Sequence, residues 1–71
     1  SYLNIKNNPL LQSLKFEKLK KVSNKIVIDL RDNLHLNLVE CPSLNSFYSK
    51  FFYFDTGKNI TRIFQDKVVQ N

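Results

Sequence analysis

One cysteine, one glycine, two prolines and no tryptophan or methionine occur among the 71 residues of this chain. The lone Cys41 excludes an internal disulfide, and with it the stapled scaffolds of small secreted domains, so an intracellular compartment is the expectation. A single glycine cannot build a phosphate-cradling loop. Thr56-Gly57-Lys58 matches only the end of one, without the upstream glycine or the following hydroxyl, and Gly57 reads as a helix stop. No apolar run approaches the ~20 residues of a membrane span, and no signal-peptide core is present, so no membrane partner is expected. The chain opens on Ser1 and not on Met, which reads as a processed end or a piece of a longer protein.

Groups for chemistry are equally sparse. His35 is the only histidine and has no second imidazole, thiol or carboxylate at metal-ligand spacing, so no metal is expected. Cys41 has no base beside it in the pattern. The carboxylates Glu17, Asp29, Asp32, Glu40, Asp55 and Asp66 fall on different elements without a convincing acid–base pair. No catalytic residue, cofactor or small-molecule substrate is therefore assigned, and a non-enzymatic role is expected.

What the chain does have is apolar residues and positive charge. A hydrophobic share of 42%, with six Phe and three Tyr, is too high for a disordered tail. It predicts a single small domain over residues 1–71. A chain this short buries roughly 60% of its unfolded surface, so a partner subunit would add needed stability. The net charge of +5 favours anionic partners. Lys15, Lys18, Lys20 and Lys21 cluster in sequence and read as the cationic last turn of a helix.

The most ordered pattern lies at Ile26, Ile28, Leu30, Leu34, Leu36 and Leu38, all at even positions. A three-residue loop at Arg31-Asp32-Asn33 would put all six on one face of a hairpin over residues 25–40. An edge strand fits residues 2–6. Asn8-Pro9 is a helix start and predicts a helix over 9–22, although Leu14 and Phe16 also alternate as in a strand. Pro42-Ser43 predicts a second helix over 44–54, with an aromatic stripe at Leu44, Phe47, Tyr48, Phe51 and Phe52. A third, over 60–69, carries Ile60, Ile63, Phe64 and Val68. The expected fold is thus α+β: a small antiparallel sheet on three helices, without internal repeats. Phe16, Val27, Val39, Tyr53 and Phe54 fall off the predicted core faces and are assigned to a partner interface. The alternative is a basic nucleic-acid binder, with Lys25, Arg31, Lys50, Lys58 and Arg62 on phosphates.

From Leu34 onward the chain resembles the RWD-like globular domain of outer-kinetochore, chromosome-segregation subunits. The matching positions are the alternating Leu34, Leu36 and Leu38, then Pro42 and Leu44, then Phe47, Phe51 and Phe54. Asp55-Thr56 and then Asn59, Ile60 and Phe64 complete the match. The family's arginine near the end is at best Lys67 here, and its coiled coil is absent. The resemblance implies half of a hetero-oligomeric, nuclear protein scaffold. Leu3-Asn4-Ile5, Leu10 to Leu14, Phe51-Phe52 and Thr56-Gly57-Lys58 are also similar to the C-terminal part of LAGLIDADG homing endonucleases. The acidic catalytic helix of that family is missing, which implies DNA binding without cleavage. A leucine-rich L-domain, suggested by Asn7-Asn8-Pro9-Leu10-Leu11, is set aside on size, because stacked repeats need about three units.

Overall fold

A computed structural model of the chain describes residues 1–22, 25–45, 51–55 and 57–70. Those residues form strands and turns, with no helix among them. The strands are β1 (Tyr2–Asn4), β2 (Ser13–Lys15), β3 (Val27–Asp29), β4 (Leu38–Cys41), β5 (Phe52–Tyr53), β6 (Thr61–Phe64) and β7 (Lys67–Val69). From β1 to β6, alternate strands enter alternate sheets. One sheet runs β1-β3-β5, the other β2-β4-β6-β7, and every pairing is parallel except β6 with β7.

This is a coil wound almost three times. Tyr2 lies opposite Val27 and Ser13 opposite Leu38, both 25 residues apart, while Ile28 meets Phe52 at 24 and Leu38 meets Thr61 at 23. Parallel strands need a crossover to bring the chain back, and here each coil supplies it by passing through the other sheet. Stacked coils bury a shared core that no single coil could close alone. That core comprises Val22, Ile28, Leu30, Leu36, Val39, Cys41, Leu44, Phe52, Ile60 and Phe64.

The corner after each strand of the first sheet repeats as well. Asn7, Asp32 and Gly57 have φ of 63°, 61° and 77°. A left-handed corner strains most side chains, and Asn, Asp and Gly are the residues that tolerate it. One place on, Asn33 is only 1% exposed and ties two coils together. Its Nδ2 donates to the carbonyls of Leu30 (2.8 Å) and Ile5 (2.9 Å), and its Oδ1 accepts the Asn8 N–H at 2.8 Å. Asn8 repeats the local half of this, donating from Nδ2 to the Ile5 carbonyl at 2.8 Å. In the third coil Lys58 takes the equivalent place, and its Nζ donates to the Asn33 carbonyl.

The α+β expectation is overturned. Residues 25–40 are not a hairpin: β3 and β4 lie in different sheets, each paired with its counterpart in a neighbouring coil. The six even-numbered aliphatics accordingly face different ways, with Ile28, Leu30 and Leu36 buried while Leu34 is 71% and Ile26 39% exposed. The helix expected over 9–22 contains β2, where the alternation of Leu14 and Phe16 wins over helical propensity because each residue has a strand to pair with. Within 44–54, Phe52-Tyr53 is a strand, as aromatic runs favour. The stripe positions Phe47 and Tyr48 lie outside the described residues. The span 60–69 holds β6 and β7, and Gly57 marks a corner, not a helix end. The internal repeat denied by the sequence reading is present. The size argument against stacked units fails because a coil consumes only about 25 residues.

β6 and β7 form the one antiparallel pair, closed by Gln65-Asp66 with φ of 40° and 35°. Two positive-φ residues define a two-residue hairpin turn in which glycine is favoured at the second position. Asp66→Gly should raise stability by about 0.5 kcal/mol, since relief of the left-handed strain exceeds the added chain entropy. Thermal unfolding reads this as an upward shift of about 2–4 °C.

Candidate protein-interaction face

Strand alternation gives the three-stranded sheet an inner and an outer face. Ile28, Leu30 and Phe52 point into the core, so the opposite face carries Tyr2 and Val27 side by side, and Asn4, Asp29 and Tyr53 in one row. The central member, Asp29, is a carboxylate whose side chain is fully covered.

A covered carboxylate needs partners, and three surround it. Arg31 grips it bidentately, Nε to Oδ1 at 2.9 Å and Nη2 to Oδ2 at 2.6 Å, while the Arg31 backbone N–H adds a bond to Oδ1 at 3.2 Å. The Tyr2 hydroxyl donates to Oδ2 from the neighbouring strand. The Arg31 guanidinium beside Asp29 holds its carboxyl well below the usual carboxylate range, despite the opposing effect of burial. The carboxylate in turn holds the Tyr2 phenol protonated above its ordinary range. Finally, Arg31 Cζ lies 5.2 Å from the centre of the Tyr53 ring, a cation–π contact. Tyr2, Asp29, Arg31 and Tyr53 thus form one connected row across all three strands. It remains open to solvent at Tyr2 (54% exposed) and Tyr53 (38%).

The residues assigned to a partner interface scatter. Val27 and Tyr53 lie on this outer face, half-buried and exposed respectively. Phe16 and Phe54 are half-buried and packed against the core, and Val39 is inside it at 0% exposure. Three of the five cations proposed for phosphate are engaged or buried within the fold. Arg31 is engaged by Asp29, Lys58 by the Asn33 carbonyl, and Arg62 is buried in β6 at 9% exposure. Lys25 is exposed at the approach to β3, and Lys50 lies outside the described residues. Tyr2 and Asp29 were missed. Their signal was the alternation Val27-x-Asp29-x-Arg31, a polar row inside an aliphatic strand.

Other groups offer little reactivity. Burial pushes the Cys41 thiol up to about 11, so it stays protonated at neutral pH. His35 sits exposed in a turn, and no group of three metal-ligating side chains occurs among the described residues. Nor is there among them a helix long and apolar enough to cross a membrane. No protein-family model matches the chain, and neither a curated protein nor a solved structure shows detectable similarity to it.

Proposed function

We propose that the chain is a non-enzymatic interaction module that binds a partner protein through the outer face of the β1-β3-β5 sheet. The observation that supports this is the Tyr2–Asp29–Arg31–Tyr53 row. Tyrosine and arginine carry most of the energy at protein interfaces, and here one ion pair fixes their geometry in advance. Side chains already held in place lose less entropy on association. The partner this face suits offers apolar surface to two tyrosine rings and acceptors to the remaining Arg31 donors. No family, relative or solved structure bears on the kinetochore or endonuclease resemblance, so the partner is specified by its chemistry alone.

A peptide-display selection on the immobilised chain tests the reading. Selected ligands should lose about 10–100-fold in affinity to Tyr53→Ala, the range of an interface anchor, and nothing to Lys18→Ala on the exposed basic stretch. Ligands indifferent to Tyr53→Ala would defeat the proposal. The nucleic-acid alternative draws on the net charge of +5 and predicts duplex binding that weakens steeply with salt. With Arg31 and Lys58 engaged and Arg62 buried, a shallow slope and weak binding are expected.

A further inference from the structure

The two ends of the coil stack are finished differently. At the third-coil end, β7 folds back and covers the edge of β6, while β5 forms the edge of the other sheet. At the first-coil end, both sheets stop on open edges among the described residues, where β1 and β2 each pair on one side only. Unpaired strand edges are templates for further pairing, and chains that do not use them usually blunt them with charge. This end is not blunted. Its one strand-borne cation, Lys15, is already bracketed by Glu17 at 3.6 Å and Glu40 at 3.9 Å.

Between the edges lies an incompletely covered slice of core. Leu3 is 44% exposed, and Ile5, Leu11 and Leu14 are half-buried. Their counterparts one coil later, Ile28, Leu30, Leu36 and Val39, are exposed by 1%, 1%, 2% and 0%. The difference is that the second coil has a neighbour on each side.

Asn8 specifies what kind of neighbour fits. Between coils one and two, the N–H of Asn8 donates to Oδ1 of Asn33, so this step is accepted by the later asparagine. By that rule Asn8 Oδ1 awaits an N–H from an earlier coil, and no described residue donates to it. The open acceptor, the two in-phase edges and the aliphatic slice all repeat at the spacing of one coil.

We propose that the first-coil end is a docking edge for a further coil of the same 25-residue pattern, adding one strand to each sheet and donating a backbone N–H to Asn8 Oδ1. This reading does not depend on the outer-face proposal, although the added strand would widen that face beside Tyr2.

The test places a copy of residues 26–50 directly before Ser1, which sets Val27 of the copy in phase with Tyr2. Amide exchange and thermal unfolding are then compared with the parent chain. The expected result is at least a tenfold slowing of exchange at the Tyr2–Asn4 and Ser13–Lys15 amides, and a higher melting temperature. Asn8→Ala should cost more in the extended chain than in the parent, because only there is Oδ1 used. A copy shortened by one residue inverts every side chain and should give none of these gains. An in-phase copy that leaves exchange and melting unchanged overturns the proposal. So does sedimentation of the parent chain as a dimer with the same amides already protected, since a second copy would then occupy the edge.

Discussion

Asn33→Ala should lower stability by about 3–4 kcal/mol, a large part of the roughly 4–10 kcal/mol expected for a domain of this length. The side chain is almost wholly buried, and its carboxamide serves both coils. Truncation leaves the Leu30 carbonyl without that donor and the Asn8 N–H without its acceptor, while the Ile5 carbonyl keeps only Asn8 Nδ2. Each buried backbone group left unpaired costs about 1–3 kcal/mol, and a methyl group returns little of this. Asn8→Ala in the parent chain removes bonds at an exposed position and should cost about 1 kcal/mol or less. Urea unfolding checks both: Asn33→Ala should move the midpoint sharply at constant slope. Equal effects of the two substitutions would show that the ladder does not join the coils as described.

Arg31→Ala is the second large effect, expected as a marked fall in the urea midpoint. Removing one partner of a buried pair leaves the other charge uncompensated, at a cost lessened here because Arg31 is itself half exposed. Its pH dependence distinguishes it from simple loss of packing. Asp29 titrates lower in the folded chain than in the unfolded one, so its contribution is present above the ordinary carboxylate pKa near ~4. That contribution drains away as pH falls below that value, because the unfolded chain then binds a proton the folded one refuses. In Arg31→Ala burial is opposed only by the Tyr2 hydroxyl and a backbone N–H, so the folded carboxyl titrates higher. Wild type should therefore lose stability between about pH 4 and pH 2, and the variant should lose less over the same interval. Parallel pH profiles for the two proteins would remove the pair from any account of stability.

The sequence was legible where chemistry is local and misleading where it is periodic. That the chain has a substantial apolar core followed from composition. The left-handed corners were visible as turn residues, since Asn7, Asp32 and Gly57 are of the few types that tolerate positive φ. Their equal spacing carried the fold, and within a window of one helix it cannot be seen. The even-numbered aliphatics from Ile26 to Leu38 satisfied a hairpin register perfectly well. They were sorted instead by partners 25 residues away, information that no short-range pattern contains. Leu14 and Phe16 carried both periodicities, and long-range pairing decided between them. Tyr53 was assigned to a surface because it fell off a helical face; it is exposed because strand alternation turns it outward from Phe52.

Almost every strand pair joins segments separated by a full turn of the chain, and this has a cost in time. Closing such long segments spends entropy before any pairing rewards it, which makes assembly slow. Only the last two strands can meet across a corner of two residues. The β6–β7 corner is therefore expected to pair sooner than any two strands of neighbouring coils.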